Sequence, residues 1–317
     1  MRLYRPAHAN LVGDFVTSHR DERADVQEGA GMRAIPPEDV ERWALAYLQH
    51  APISLALREL NRLLAVESLY AEDGAGPRTP VLDVGCGDGF WWTVRKRQRA
   101  GVYGIDISLS EVAQSDRHIH AECCDISAER PFPDIEFAEM IGNCSLEHVR
   151  DIDAALRNMR VAAAEGCRLI LFVPTPQWGY EGLILSFLLR RFPRLAMTVS
   201  GAMNGFFQHW HLYEVPIWQS ILAQNGWKVR ASYGLGNHRS ELLFRLFLPA
   251  GFVEFLFKSL FRVYPSKALR WAPRWTLRPM VRLLTWALAD PVIPADSAKA
   301  YEYLIIAEAA PHGKDTR

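Results

Sequence analysis

Asp83-Val84-Gly85-Cys86-Gly87-Asp88-Gly89 is the stretch whose residue types most clearly suggest chemistry. Glycines at alternate positions let a backbone turn tightly and approach a ligand closely, and Asp83 sets a carboxylate two residues ahead of the first. A dinucleotide loop needs G-x-G-x-x-G, which places a pyrophosphate on a helix N-terminus. The spacing in this chain is G-x-G-x-G. An acid beside a pyrophosphate repels it, whereas beside an ammonium group it attracts. The loop therefore predicts a cationic, phosphate-free cofactor and argues against NAD. Asp106 follows Gly87 by 19 residues, where a carboxylate can take both hydroxyls of a ribose. Asp125 follows the next apolar run, where an acid can accept from an adenine amino group.

A second set of residues suits proton transfer. His148 comes just after the apolar run FAEMIG, and His209-Trp210-His211-Leu212-Tyr213 precedes a helical stretch. A histidine at the carboxyl edge of a sheet can serve as general base, so His148 and His211 are the candidate catalytic residues. The cysteines (Cys86, Cys123, Cys124, Cys144, Cys167) form no C-x-x-C pair, which makes a zinc site, a redox motif or a disulfide scaffold unexpected.

The elements that must position these groups alternate. Val81–Gly85, 102–106, IHAECC, FAEMIG and CRLILFV read as strands, with Asp151–Ala164 an amphipathic helix capped by Asp151. After a looser stretch over 178–212, Glu214–Asn225 reads as a helix, WKVRASYG as a sixth strand and YEYLIIAEA as the last. Strands alternating with helices predict an α/β, doubly wound, mostly parallel sheet of seven strands. A helical N-terminal extension precedes it, starting at Pro36-Pro37 and broken near Ala51-Pro52. Segment boundaries are expected at 1–76 (extension), 77–237 (core), 238–298 (helical insertion) and 299–317 (final strand and tail).

These motifs together resemble the class I S-adenosylmethionine-dependent methyltransferases, which share a Rossmann-like fold. VLDVGCGDGF resembles the family's first motif, GIDIS its second, CDISAERPFPDIEFAEMIGNCSLEHV the third and fourth strands, and EGCRLILFVPTP the fifth. The likeness covers about 81–235 and the terminal strand. It implies S-adenosyl-L-methionine as cofactor. Asp83, Gly85, Cys86 and Gly87 would then surround the methionine moiety, and Asp106 with Ile107 would hold the ribose. Asp125 and Ile126 would hold the adenine, and Gly142 and Asn143 would flank the sulfonium. Cys144-Ser-Leu-Glu147-His148 resembles the E-x-x-E-H element of ubiquinone-type O-methyltransferases, with cysteine in place of the first glutamate. Hard cations prefer oxygen ligands, so no metal is expected.

Composition bounds the acceptor. The 317 residues carry 36 basic and 36 acidic side chains, so no global field draws the protein to nucleic acid, which is not an expected partner. Yet Leu242–Ala289 holds eight basic residues, one acid (Glu254) and ten aromatics, a local net +7 that leaves −7 for the remainder. Basic residues interleaved with Trp, Phe and Leu suit a helix lying in a membrane interface. A lid packed on the sheet, or a surface for an oligomer, is the competing expectation for 242–289. Glu254, Lys258 and Arg262 fall on one helical face, and Pro279 suits a first helical turn. No signal-peptide run opens the chain. The expectation is a cytoplasmic enzyme, peripheral on the inner face of a membrane, methylating a hydroxyl of a small or lipid-linked acceptor. The alternative is a non-catalytic, membrane-associated scaffold that binds S-adenosylmethionine.

Overall fold

The computed structural model describes residues 35–311 apart from 75, 96–99, 181–182, 289–291 and 298–299. These all belong to one compact unit, Met32–Arg317. The start of the expected N-terminal extension lies outside the described residues. Its remainder forms α1 (Pro37–Leu48) and α2 (Ile53–Glu72), separated at Pro52 as the sequence predicts.

The core strands are β1 (Val81–Val84), β2 (Val102–Asp106), β3 (His120–Cys123), β4 (Phe137–Asn143) and β5 (Ala163–Pro174). Between them lie α3 (Phe90–Val94), α4 (Leu109–Ser115) and α5 (Ile152–Ala162). Asp151 caps α5 by accepting the Ala154 N–H at 2.9 Å, as expected. The looser stretch contains two helices, α6 (Leu183–Arg191) and α7 (Pro193–Phe207). There follow α8 (Val215–Gln224), β6 (Trp227–Leu235), α9 (His238–Phe261) and α10 (Arg274–Ala287), then β7 (Val292–Pro294) and β8 (Glu302–Ala309).

The strand order is β3-β2-β1-β4-β5-β8-β6-β7. β1 to β5 pair in parallel, while β8 runs antiparallel between β5 and β6. The sheet thus has eight strands among the described residues, not seven. The additional strand, β7, pairs antiparallel with Tyr233–Leu235 at the edge. Three residues ending in proline give no periodic signal, and proline is tolerated only at such an edge.

Successive β5 residues feed two cores, because strand side chains alternate between faces. Ile170 and Phe172 join a cluster with Leu57, Leu60, Phe244 and Leu284, from α2, α9 and α10. Leu169, Leu171 and Val173 join Leu156, Met159, Trp218 and Leu222, from α5 and α8. Covering on both faces explains why the strand reads as an unbroken apolar run. Two details of the insertion differ from expectation. α10 starts at Arg274, so Pro279 lies inside the helix, not in its first turn. Arg262 is the residue after α9, at φ +61, so the shared face ends at Lys258.

Candidate functional site

β1 ends where Gly85 takes φ +78, a conformation that costs a residue with a Cβ dearly. A Cβ at that position would also lie 2.5 Å from the Ser145 Cβ. The Gly85 and Cys86 N–H groups donate to the Ile105 carbonyl at 2.8 and 3.0 Å, folding the loop back over β2. Gly87 donates its N–H to Asp106 Oδ2 at 3.0 Å, and Ser108 donates to Oδ1 at 2.9 Å. Loop and carboxylate are therefore oriented together. A Cβ on Gly87 would meet nothing within 4 Å, which leaves the backbone open to a ligand.

Asp83 is 2% exposed. Its Oδ2 accepts the Trp92 indole N–H at 2.7 Å, and its Oδ1 has no partner. Burial raises its carboxyl to about 7, despite the Trp92 hydrogen bond that opposes the shift. Asn143, at the end of β4, is held by Arg62 Nη1 at 3.0 Å and by Glu59 Oε2 at 3.2 Å.

A cavity of about 300 Å³ opens over this loop, lined by Gly85, Cys86, Gly87, Asp88 and Asn143. Its other wall comes from elements that the motifs do not cover: Tyr47, His50 and Glu59 from α1, α2 and their junction, and Lys258, Tyr264 and Lys267 from the insertion. These were missed because nothing local marks them. The signal the sequence offers is the polar set Arg58, Glu59, Asn61 and Arg62 within α2, which reads equally well as a solvated face. A second depression of about 430 Å³, around Gln219 and Trp227, touches none of the motif residues.

The other candidate cofactor residues, Asp83, Asp106, Ile107, Asp125, Ile126 and Gly142, fall around the carboxyl ends of β1 to β4 and do not line that cavity. Ile107 is 77% exposed. Asp125 is exposed, its Oδ1 accepting the Ser127 N–H and hydroxyl at 2.9 and 2.6 Å. Ile126 is buried, and its carbonyl accepts the Asn158 amide at 2.8 Å. Gly142 is the point of close packing, where a Cβ would lie 2.9 Å from Leu171 Cδ2.

The candidate bases differ sharply in surroundings, and neither lines the cavity. His211 is buried with Nε2 2.7 Å from the Val149 carbonyl and Nδ1 3.2 Å from the Tyr213 hydroxyl. Both nitrogens are thus engaged. His148 is exposed, with Nδ1 3.4 Å from the Gln208 carbonyl and Nε2 3.7 Å from Glu147 Oε1. Glu147 is buried, Oε2 lacks a partner, and burial raises its carboxyl. His209 stacks on His148 at 5.0 Å. Burial, reinforced by His148 and Arg58, lowers His209 to about 3, so it stays neutral. Glu147, His148 and His209 bring one potential ligand atom each within 4.8 Å, a grouping that the sequence did not suggest. The Trp178 N–H occupies His209 Nε2 at 3.1 Å, however, leaving Glu147 and His148 as the groups free to act.

The chain is similar to several solved structures. A candidate sarcosine dimethylglycine methyltransferase of Galdieria sulphuraria is 13% identical, with 79% of this chain and 86% of that one covered and a TM-score of 0.47. A SAM-dependent methyltransferase of Thermotoga maritima is 13% identical, with 86% and 94% covered and a TM-score of 0.46. A magnesium protoporphyrin IX methyltransferase of Synechocystis, with bound SAH, is 20% identical over 59% and 82% of the chains, with a TM-score of 0.40. No curated protein matches the sequence. A family model described as a methyltransferase domain matches residues 47–232, more than half of the chain, and takes in the glycine loop, Asp106, Asp125 and the end of β4. The chain therefore belongs to the S-adenosylmethionine-dependent class I methyltransferases.

Proposed function

We propose that the protein methylates a hydroxyl oxygen of an amphiphilic acceptor, which it meets at an anionic membrane surface. The observation that carries this reading is the outer face of the insertion. Leu260, Trp271 and Trp275 are 77%, 84% and 69% exposed, among the exposed Arg262, Arg270, Arg274 and Arg278. Large apolar side chains exposed along one segment favour an interaction surface, and arginines among them favour anionic lipid. Exposed Phe187, Phe192 and Leu195, with Arg190, Arg191 and Arg194, extend the same composition onto α6 and α7. Ring contacts of Phe206 and Phe207 with Phe255 join α7 to α9. No helix among the described residues is long and apolar enough to cross a membrane. Liposome flotation tests the reading: binding should require anionic lipid and weaken with salt, and a protein left in the soluble fraction would remove it.

The residues present fit the cofactor. The unpartnered Asp83 Oδ1 suits an ammonium group, the open Gly87 backbone suits close approach, and Asp106 has lone pairs to spare for ribose hydroxyls. Bound S-adenosylmethionine supplies an electrophilic methyl group. Asp83 gives this binding a pH dependence. Its raised carboxyl means that the empty site's stability is complete below the ordinary value near 3.8 and is lost as pH rises through 7. An ammonium partner favours the ionised form, so binding should release a proton. Affinity is expected to climb by up to roughly tenfold per pH unit from about 5 to 7 and then level off. Calorimetry in buffers of different ionisation enthalpy reads this directly; equal affinity at all pH values with no proton release would refute it.

On the acceptor side, His148 is the base. Its Nδ1 faces the Gln208 carbonyl and so carries the proton, which leaves the Nε2 lone pair to accept one from a hydroxyl. Glu147 beside it stabilises the imidazolium that forms. His211 anchors the strand of chain that carries His209. Loss of a general base typically costs 10²–10⁴-fold in rate, so His148→Ala should lower turnover by about that factor with cofactor binding intact. Mass spectrometry of lipid extracts for methylated products identifies the acceptor and provides the assay. Full turnover in His148→Ala would exclude His148 as the base.

A further inference from the structure

The elbow from Gly251 to Trp271 has two sets of partners. Inward, Lys258 Nζ lies 3.5 Å from Glu111 Oε1 and 4.8 Å from the Tyr264 ring centroid. Lys267 Nζ lies 3.7 Å from Asp88 Oδ2, which also faces His50 Nε2 at 3.1 Å. Asp88 belongs to the glycine loop, and Glu111 to the helix that follows Asp106. Glu254 Oε2 accepts the Ser266 N–H at 3.0 Å, fastening the end of α9 to the turn at Pro265–Trp271. Outward, the same short stretch exposes Val253, Phe257, Leu260, Phe261 and Trp271, with Arg262 and Arg270.

We propose that this elbow is a two-sided interaction surface. Its outer side seats on an anionic lipid bilayer, its inner side completes the cofactor cavity, and each ligand therefore strengthens binding of the other. The inference rests on the membrane reading above and adds the coupling to it. Charge complementarity selects the occupant: the one acid of 242–289, Glu254, is bonded to Ser266, so the exposed charges of the elbow are basic.

The physics of the inner contacts makes coupling possible. Lys258 and Lys267 make single, partly solvated ion pairs, the kind that holds an element only weakly. The cavity side of the elbow is held by these weak pairs beside the buried Tyr264 and Ser266. A bilayer that buries Leu260, Phe261 and Trp271 in one orientation favours the conformation in which Lys258, Tyr264 and Lys267 stand at the cavity. A ligand shifts an equilibrium only through its differential affinity for the two states, and the shift is reciprocal.

The test is calorimetric titration of the full chain with S-adenosylhomocysteine in three conditions: alone, with phosphatidylcholine vesicles, and with vesicles of equal parts phosphatidylserine and phosphatidylcholine. About tenfold tighter binding is expected with the anionic vesicles alone, within the usual range of such couplings. S-adenosylhomocysteine should strengthen flotation by the same factor. Lys258→Gln with Lys267→Gln should still float on anionic vesicles but lose the enhancement. Leu260→Glu with Trp271→Glu should lose flotation and keep the vesicle-free affinity. Flotation with unchanged cofactor affinity would overturn the coupling and leave the membrane reading standing. No flotation would remove both. Self-association without lipid, abolished by Leu260→Glu, would make a second copy the occupant and overturn the proposal.

Discussion

Asp106→Ala is expected to bind S-adenosylhomocysteine roughly a hundredfold more weakly than the wild type. Each Asp106 oxygen already accepts one backbone N–H, from Gly87 and Ser108, which orients the carboxylate and leaves further lone pairs for a ligand. Two hydrogen bonds from ribose hydroxyls to a charged acceptor contribute about 1.5–3 kcal/mol each, and loss of even one to two of them gives the stated factor. The substitution also frees the Gly87 N–H, so the loop loses the tie that shapes it. Calorimetry measures the affinity, and the melting temperature of the unliganded variant separates lost binding from lost folding. Unchanged affinity in a folded variant would remove Asp106 from the cofactor site.

Glu302→Ala should be the most damaging substitution for stability, at about 3–5 kcal/mol. Glu302 is fully buried, and its carboxylate accepts from Arg58 Nε at 2.5 Å and from Arg62 Nε at 2.9 Å. Burial alone would raise its carboxyl, but the two guanidinium groups outweigh burial and hold it below its ordinary value. Removing it takes the shared acid from two buried cations, of which Arg62 keeps Glu59 at 3.0 Å and also positions Asn143. For a chain of 317 residues the melting temperature should fall by roughly 5–8 °C. The sign with pH follows from the lowered carboxyl: its stabilisation is present above the ordinary glutamate range and is lost as pH falls through the folded value. Wild type and variant should therefore converge on acidification. A variant that melts within a degree or two of the wild type would show the cluster to be energetically idle.

The loss in Glu302→Ala also bears on why parts of the site cannot be read locally. Arg58 and Glu302 are 244 residues apart, and neither sits in a motif. They meet because β8 inserts between β5 and β6 while α2 packs on that face of the sheet. An arginine pair on a helical pattern reads equally well as solvated surface. The same holds for the sixth position of α10, where Pro279 looked like a start signal until Pro273 proved to cap the helix.

What the sequence determined by itself is the placement of the glycine loop and its acids at the carboxyl ends of the first strands. Gly85, Gly87, Asp83 and Asp106 lie within a few residues of strand ends, so the spacing that predicts a strand also places the group. The alternation of apolar runs with helical stretches likewise determined the doubly wound sheet, since only a sheet covered on both faces buries such runs. Tertiary structure alone decided which histidine stays free. His209 and His211 are two residues apart in the chain, yet Trp178 occupies one and Val149 with Tyr213 the other, while His148 is exposed with Nε2 3.7 Å from Glu147. It also decided the second wall of the cavity, built by Tyr47, His50, Lys258, Tyr264 and Lys267. Local patterns record which face a residue occupies within its own element. They carry no record of which distant element the chain's path brings against that face, and a cavity between elements exists only once that path is complete.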